Sequence, residues 1–263
     1  MILIVNPAAV APGRSRETMP VGKKEPKATP PLIWERPEPT KRKAPGPLSR
    51  ERIVRAAMAI ADKQGLGEVS LRKVAARLKA GPMRLYGYTE TKEGLLEMMV
   101  DAVYGEIAEA GPIRGTWRQV LRSIAHRTRE AARTHDWFVE LLGGRLHFGP
   151  NALAHWEASL AALAAAPGFE DIDSVLLAVG TVNAYVVGAA RREASELSAE
   201  IETGMNEQQW QDATWPYLER MIETGRFPTI ARVVHDAKHP SSDVAFERGL
   251  DCVIEGIGAR VLR

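Results

Sequence analysis

Residues 48–100 carry the pattern that most restricts what this chain can fold into. Between Ile53 and Ala61, apolar residues recur at intervals of three and four, which places them along one stripe of a helix with 3.6 residues per turn. Ser49 precedes this run at the position of an N-cap, and Gly65 follows it where a helix usually ends. The spacing therefore predicts an amphipathic first helix with one buried face.

Two shorter helices are predicted after the first. In the segment 71–78 the apolar residues fall on one side, and Arg72 and Lys73 fall on the other. A tight turn follows, and Pro82 then occupies the first position of a third helix, where a missing N–H costs nothing. Because the segment 82–88 is too short to be stable alone, tertiary contacts must hold it.

A supported pair of short helices is suited to placing one helix in the major groove of DNA. Thr91 is positioned to cap a fourth helix, so that Lys92 lies beside free N–H groups that can bind a phosphate. Basic residues on a short helix usually form only a solvated face, but the turn spacing and the proline start favour DNA binding here. The predicted contacts from these helices are Arg72, Lys73, Pro82, Met83, Arg84, Tyr86, Gly87, Tyr88 and Lys92.

Charge is distributed unevenly along the 263 residues, although the formal net charge is only +2. Residues 1–50 hold ten Lys/Arg against four Asp/Glu, and residues 51–100 hold nine against six. The rest of the chain is therefore net acidic. A basic front and an acidic remainder favour a protein that presents one end to nucleic acid.

Length and composition indicate a soluble protein with two domains. The single cysteine, Cys252, excludes an internal disulfide, fits a reducing compartment, and falls in an apolar stripe typical of an inert core thiol. No secretory signal is recognised, and the apolar stretch 175–190 falls short of the roughly 20 residues that a membrane span needs. We expect a cytoplasmic, nucleoid-associated protein with no membrane partner.

Beyond Tyr104 every recognisable pattern is helical, and no alternation of period two persists long enough for a sheet. The sequence therefore predicts an all-α chain. Signals from Gly, Pro, Asn and Asp separate helical segments near 91–110, 116–134, 150–166, 171–194, 206–225 and 242–262.

Two of these segments have features of a helix–helix interface. The stretch 175–190 is apolar nearly all round, and the last helix combines an apolar stripe with glycines that permit close approach. Two such helices per subunit would build a four-helix interface and hold two recognition helices about 34 Å apart, although an internal core is the alternative for the last helix. The predicted dimer interface comprises Val179, Val182, Val186, Phe246, Leu250, Val253, Ile257 and Val261.

Aromatic side chains with polar groups between them suit a pocket for a small planar organic ligand. Core packing is the more common role of each aromatic residue, and both roles stay open for the polar ones. No metal spacing stands out, since His126 and Glu130 alone are a weak signal, and we predict no metal and no cofactor. The predicted ligand contacts are Trp117, His126, Arg129, Trp137, Phe138, Leu141, His147, Trp156, Asn183 and Tyr185.

Residues 48–100 resemble the N-terminal domain of the TetR/AcrR family of bacterial transcriptional repressors. The resemblance is carried by the stripe from Ile53 to Ala61 and by the runs VSLRKVAARL, PMRLY and TKEGLL. Towards the C-terminus, GRFPTIARVV and FERGLDCVIEGIGARV resemble the ligand-binding and dimerisation domain of a TetR subgroup. Gly81, Gly87 and Thr89 depart from residues that are frequent in the family.

This resemblance implies a three-helix helix-turn-helix domain over residues 48–95 and a helical ligand-binding and dimerisation domain over 96–263. It places Arg72 and Arg84 at base-reading positions. Tyr86 and Lys92 correspond to phosphate contacts.

An arm of residues 1–47 precedes these domains. It holds ten of the seventeen prolines and no sustained period, so we expect no fold of its own. Such arms can place basic side chains in the minor groove, and a solvated tail is the alternative. The run from Ile33 to Pro39 is similar to arms of some TetR-type repressors of antibiotic export, which favours a contact. The predicted contacts are Arg36, Lys41, Arg42 and Lys43.

The leading interpretation is a homodimeric repressor that binds a pseudo-palindromic operator in double-stranded DNA and is released by a small organic molecule. The resemblance includes regulators of drug and antibiotic export. A DNA-binding regulator or architectural protein without ligand control is the alternative. An enzyme is not expected, because the sequence offers no nucleophile–base set, phosphate loop or metal motif.

Overall fold

The computed structural model describes residues 32–36, 38, 48–144 and 146–261. Its elements are helices and turns, and the described residues contain no strand, which confirms the all-α prediction. The helices are α1 (Arg50–Gln64), α2 (Leu71–Arg77), α3 (Pro82–Tyr86), α4 (Lys92–Glu109), α5 (Trp117–Thr134), α6 (Phe138–Leu141), α7 (Pro150–Ala164), α8 (Ile172–Thr203), α9 (Glu207–Glu223), α10 (Pro228–Asp236) and α11 (Ser242–Val261).

The chain divides into two compact units whose boundary differs from the predicted one at residue 95. Unit 1 comprises Met1–Asp101 together with Gly144–Pro150, and unit 2 comprises Ala102–Gly143 and Asn151–Arg263. The first three turns of α4 thus belong to unit 1. The stretch between α6 and α7 also belongs to unit 1, although it lies far along the chain.

Caps set the ends of the first helices, as the sequence predicts. The Ser49 hydroxyl accepts the N–H of Arg52 at 3.3 Å, and the Ser70 hydroxyl accepts that of Lys73 at 3.2 Å. Gly65 ends α1 with φ +85° and donates its N–H to Ala61 at 2.8 Å. The start and end of α1 and the start of α2 therefore lie where a local side chain or a glycine satisfies terminal backbone groups.

Three helical features were not predicted. α6 and α10 are short, and α8 continues to Thr203, nine residues beyond the apolar segment predicted to end near 194. The added part of α8 leaves its large apolar side chains, Leu197 and Ile201, exposed. Gly204 ends it with φ +67°.

The core of unit 2 is built from one face each of α5, α8 and α11. Most of the side chains predicted to form a dimer interface lie inside this core, with Val179, Val182 and Val186 fully buried. Phe246, Leu250 and Ile257 are also buried, Val253 packs against the same cluster, and the side chain of Val261 lies outside the described residues. The apolar stripes thus cover the subunit's own interior, and a partner would have to meet the opposite faces.

Two further expectations change with the structure. Cys252 is exposed rather than buried in the core, because it lies beside the apolar stripe of α11 and not on it. By length and composition alone, α8 (mean hydropathy 1.6) could cross a membrane, whereas the apolar run was predicted to be too short. The seven buried residues of α8, which include Val175 and Ala190, pack within unit 2, as the core helix of a soluble protein does.

Leu250→Ala tests whether the apolar stripe of α11 belongs to the subunit core or to a dimer interface. Because Leu250 is fully buried within one subunit, we expect the free energy of unfolding to fall by about 2–5 kcal/mol, as measured by chemical denaturation. Leu197→Ala, at a side chain that is 48% exposed, is the control and should leave the unfolding of the subunit core nearly unchanged. Weaker dimerisation by Leu250→Ala with unchanged subunit stability would instead place Leu250 at an interface.

Candidate nucleic-acid interface and ligand domain

The turn between α2 and α3 fixes the predicted recognition helix. Lys79 adopts φ +51°, the only non-glycine residue with positive φ in the described part of the chain. Ala80 donates its N–H to the carbonyl of Ala75 at 2.9 Å, and Pro82 begins α3 after Gly81, which has no capping side chain. The five-residue helix is then held by Leu85, which is completely buried.

Most of the predicted DNA contacts share one exposed surface on α2 and α3. Met83 is 81% exposed and Tyr86 is 41% exposed. Lys73 reaches back from α2 to the side chains of Glu68 and Gln64, and its hydrogen bond, together with its charge, lowers the pKa of the Glu68 carboxyl. The other exposed members of this surface are Arg72, Pro82, Arg84 and Gly87.

Tyr88 does not belong to this surface. Its side chain is buried, and its hydroxyl donates a hydrogen bond of 2.6 Å to the carbonyl of Leu48. The phenol therefore ties the end of the recognition segment to the chain before α1. Tyr88 supports the DNA-binding unit and cannot reach DNA without leaving this position.

The start of α4 has the predicted form of a phosphate site. The Thr91 hydroxyl accepts the N–H of Gly94 at 3.0 Å, and Lys92, the first helical residue, is half-buried. Thr89 is buried, and its hydroxyl donates to the carbonyl of Thr91 at 3.0 Å. A Cβ on Gly94 would come within 2.7 Å of the Thr89 hydroxyl, so the close approach at this helix start requires glycine.

The part of the arm that the structure describes lies on unit 1. Ile33–Glu35 forms one turn of 3-10 helix, whereas no fold was expected here. The predicted minor-groove residue Arg36 instead forms an ion pair with Glu90 at 3.1 Å. Lys41, Arg42 and Lys43 lie outside the described residues.

The polar residues predicted to bind ligand have acidic partners within the chain. Arg129 is 6% exposed, and its Nε–H donates to Glu193 at 3.1 Å. Its guanidinium lies 2.9 Å from the Asp243 carboxylate and 4.0 Å from the centre of the Phe246 ring. His126 lies 3.6 Å from Glu247. These contacts join α5 to α8 and α11, so the two side chains hold the helices of unit 2 together.

The other polar residues predicted to bind ligand are His147, Tyr185 and Asn183, and they have different surroundings from Arg129 and His126. Nδ1 of His147 lies 3.0 Å from Glu97 on α4, and this histidine belongs to unit 1, whereas the other predicted ligand residues belong to unit 2. The Tyr185 hydroxyl donates to the carbonyl of Phe246 at 2.7 Å. Asn183 is half-buried on α8, beside the core.

The predicted aromatic residues separate into two groups. Trp137 and Phe138 are fully buried and meet edge-on, with ring centroids 6.4 Å apart. Trp117 instead packs with Phe169 in the α5–α8–α11 core, and Trp156 lies at the edge of that core. Leu141, the last residue of α6, comes three residues after Phe138 in the sequence, and its side chain is half-buried.

A buried polar group next to Phe138 was missed by the sequence analysis. Tyr104 contacts Phe138 edge-on at 5.6 Å and the ring of His155 at 5.2 Å. Ser159 follows one turn later on α7, and its buried hydroxyl has no hydrogen-bond partner in the described part of the chain. His155 and Ser159 are four residues apart on one helix face, and this spacing was the available signal.

Burial keeps this group uncharged. Desolvation, with a contribution from Arg127, lowers the pKa of His155 to about 4, and desolvation raises the pKa of Tyr104 to about 12. Both side chains are therefore neutral hydrogen-bonding groups near pH 7. They can pair with an uncharged polar ligand atom but would disfavour burial of a charged one.

Two open grooves lie on the surface of unit 2. One of about 350 Å³ is lined by α5 and contains the predicted residues His126 and Arg129 beside Arg133. The other, of about 340 Å³, has an apolar floor that includes Leu197 and a rim of carboxylates such as Glu200. Among the described residues, no cluster of three or more His, Cys, Asp or Glu side chains is suited to a metal ion.

Comparison with known proteins places this fold in a family. Residues 111–261 match the family model described as the tetracyclin repressor-like C-terminal domain. The chain belongs to the TetR family of transcriptional regulators. It is 33% identical over 246 residues to the HTH-type transcriptional repressor DrrR1 of Streptomyces coeruleorubidus, which covers 93% of this chain and 90% of the relative.

Other TetR-family proteins give the same assignment. The tetracycline repressor protein class E of Escherichia coli is 27% identical over 81% of this chain and 92% of its own length. Apo ActR from Streptomyces coelicolor superposes with a TM-score of 0.69 at 25% identity, over 82% of this chain and 97% of ActR. ActR in complex with actinorhodin also gives 0.69, at 26% identity, over 83% and 98% of the two chains. These relatives are transcriptional regulators rather than enzymes.

The buried histidine of this TetR-family chain predicts a pH dependence of stability. The folded pKa of His155 lies near 4, below its ordinary value of 6.5, so the unfolded chain binds the extra proton between these values. The contribution of neutral His155 to the free energy of unfolding is therefore fully present well above pH 6.5. The free energy of unfolding falls by about 3 kcal/mol as the pH drops towards 4.

His155→Gln should remove this part of the pH dependence, as measured by denaturation across pH 4–7. His239→Gln, at an exposed histidine, serves as the matched control. Identical pH profiles for wild type and His155→Gln would contradict the buried neutral histidine.

Proposed function

We propose that this TetR-family regulator is a ligand-responsive repressor that binds a pseudo-palindromic operator as a homodimer and leaves it when a small organic molecule binds. The exposed surface of α2 and α3 is the observation that carries the proposal. It offers guanidinium groups from Arg72 and Arg84, which can pair with guanine edges or phosphates. Tyr86 and Lys92 add two phosphate donors.

A second copy of this chain accounts for the helices that have no buried residue. α9 and α10 bury none of their side chains within the subunit. Trp210, Tyr217 and Val233 are each more than half exposed there, and so is Ile201 in the last turn of α8. Large apolar side chains in such number are typical of an interface rather than of free surface. We propose these faces, in place of the buried stripes, as the dimer contact.

The ligand is proposed to enter unit 2 near the neutral group of Tyr104, His155 and Ser159. An unpaired buried hydroxyl is unfavourable by about 1–3 kcal/mol, and a ligand that hydrogen-bonds to Ser159 would remove this cost. The aromatic rings of Trp137 and Phe138 nearby suit a planar organic compound. ActR complexes with actinorhodin and with (S)-DNPA support the binding of a small molecule, although not its planar shape.

Release requires the ligand to bind better to a dimer whose recognition helices no longer match the operator. To lower the fraction of dimers that can bind the operator from 99% to 1%, the ligand must favour the other state by about 5.5 kcal/mol. α4 is the proposed lever because it begins beside α3 and extends beyond unit 1. The stretch 144–150 contacts it through His147 and Glu97, and Gly149 lies so close to Asp101 that no side chain fits there.

The relatives also bear on the controlled gene. Several are tetracycline repressor proteins, and ActR is bound to actinorhodin in one structure. We therefore propose a target concerned with the export of a drug or antibiotic, and a cytoplasmic protein that acts at the nucleoid.

The first test is binding of the full chain to duplexes from its own upstream DNA, with and without a panel of aromatic natural products. We expect specific binding that one compound releases. Arg84→Ala should raise the Kd for the operator by about five- to 150-fold, because a base-reading pair contributes about 1–3 kcal/mol. Arg114→Ala, at an exposed arginine between α4 and α5, is the control and should change the Kd less than twofold.

Each other outcome of this test has a defined meaning. Specific binding that no compound releases would contradict ligand control and leave a regulator without it. Binding with little sequence preference would indicate an architectural DNA-binding protein. Equal loss of affinity for specific and unrelated DNA in Arg84→Ala would make Arg84 a phosphate contact only.

If α4 transmits ligand binding to the recognition helix, a change at His147 should affect release of operator DNA by the ligand and not operator binding itself. In His147→Ala the contact with Glu97 is lost, so we expect operator affinity to stay within about twofold while the compound concentration for half-release rises several-fold. His239→Ala is the control for removal of a histidine. An equal loss of operator affinity and ligand response would assign His147 to the stability of unit 1 instead.

A further inference from the structure

The start of α4 carries donors for a phosphate close to the basic side chains of α2. The N–H groups of Lys92 and Glu93, the first two of the helix, donate no hydrogen bond within the described part of the chain. The pKa of Glu68 is lowered by its hydrogen bond to Lys73, by the charge of Lys73 and, to a smaller extent, by the charge of Lys92. The Lys92 ammonium is thus close enough to act on the partner of Lys73. Two unused N–H groups and a lysine in this position suit a DNA phosphate.

An acidic side chain lies beside this phosphate site. Glu90 comes two residues before Lys92, and its side chain is 66% exposed. Because neighbouring Cα atoms are about 3.8 Å apart, its carboxylate is on the order of 10 Å from a phosphate bound at the first turn of α4. That distance is similar to the Debye length at physiological salt, so the repulsion between the two negative charges is only partly screened. A carboxylate without a counter-charge here would weaken DNA binding.

Arg36 supplies the counter-charge. Its Nη1 lies 3.1 Å from the Glu90 carboxylate, and its side chain is 32% exposed. Its Nε is buried and has no hydrogen-bond partner among the described residues, so the bond of this side chain that the structure shows is the one to Glu90. A pair of this exposure contributes little to the free energy of unfolding. It nevertheless neutralises a negative charge where such a charge would oppose DNA.

The backbone of Arg36 is held close to the start of α4. Arg50, the first residue of α1, donates from Nη2 to the carbonyl of Ile33 at 3.3 Å and to the carbonyl of Arg36. A Cβ at Gly94 would lie 3.8 Å from the Ile33 side chain, so the same turn of the arm also meets the first turn of α4. These contacts lie within unit 1. They account for the position from which the guanidinium of Arg36 reaches its carboxylate.

We propose that Arg36 is a positioning residue for DNA binding that acts through Glu90. By holding this carboxylate in an ion pair, it keeps the negative charge from opposing the phosphate at the start of α4. This inference rests on the operator binding proposed above. It assigns Arg36 a partner within unit 1, in place of the minor-groove contact predicted from the sequence.

The test measures binding of the full chain to the operator duplex found upstream of its gene and to an unrelated duplex of equal length. Arg36→Met should raise the Kd about three- to tenfold for both duplexes, because each presents a phosphate to α4. Arg36→Lys keeps the charge that pairs with one carboxylate, so its Kd should stay within about twofold of the wild type. Arg114→Met removes an exposed arginine outside unit 1 and is the control for net charge.

Two double variants separate an action through Glu90 from direct contact with DNA. Arg36→Met with Glu90→Gln has no charge at either position, and Arg36→Glu with Glu90→Arg keeps an ion pair with its ends reversed. Both should return the Kd to within about twofold of the wild type. Glu93 is the same in every variant, so its charge cancels from the comparison. A Kd as high as that of Arg36→Met in either double variant would overturn the proposal, and so would an unchanged Kd in Arg36→Met itself.

Denaturation separates this role from support of the fold. Arg36→Met should leave the free energy of unfolding nearly unchanged, because the pair is open to solvent. A loss of stability that accompanies the loss of affinity would overturn the proposal. If the wild type bound both duplexes equally, operator recognition would fail, while the effect of Arg36→Met on unrelated DNA would still decide the role of Arg36. Absence of binding to either duplex would overturn both proposals.

Discussion

Burial of Leu85 is the interaction on which the proposed DNA-binding surface of α2 and α3 depends. α3 has five residues, and a helix of that length is unstable in isolation. With Leu85 completely buried and accepting the N–H groups of Tyr88 and Thr89 at 2.8 and 3.0 Å, the segment has only one orientation on the unit. Arg84 and Tyr86, on either side of it in sequence, are exposed for this reason. The chemistry offered to DNA is therefore a consequence of packing behind it.

Unit 2 uses its charged residues to join helices. Arg129 and Arg133 of α5 both pair with Glu193 of α8 and Asp243 of α11, and these contacts lower the pKa of both carboxyls. A guanidinium that bridges two helices is a poor ligand contact, since a ligand would have to compete with the carboxylates. The neutral side chains of Tyr104 and His155 form no ion pair among the described residues. Recognition in unit 2 is thus better suited to uncharged polar atoms.

Local signals in the sequence were sufficient for much of the fold. Ser49, Ser70 and Gly65 specify helix ends through bonds to residues at most four positions away, so their roles could be predicted. The hydroxyl of Tyr88 bonds a carbonyl 40 residues earlier, and His147 meets a carboxylate 50 residues earlier; no local pattern contains those pairings. Periodicity also identified the stripe of Val182 without indicating which surface covers it. Among the predicted DNA contacts, Tyr88 is therefore buried and Arg36 is paired with Glu90, whereas the predicted ligand and dimer residues differ more widely in position from the prediction.

The composition of unit 1 bears on the proposed release from DNA. Its described residues come from three parts of the sequence: residues 32–36 and 38 of the arm, the run from Leu48 to Asp101, and Gly144–Pro150. The last of these is connected at both ends to α6 and α7, and within unit 1 it contacts α4 at Glu97 and Asp101. A change in the ends of that stretch therefore acts on the same helix whose first residue is Lys92. Because α4 is one continuous helix, a displacement at Glu97 cannot leave its N-terminal turn unaffected unless the helix bends, and the described residues 92–109 contain no proline that would favour a bend.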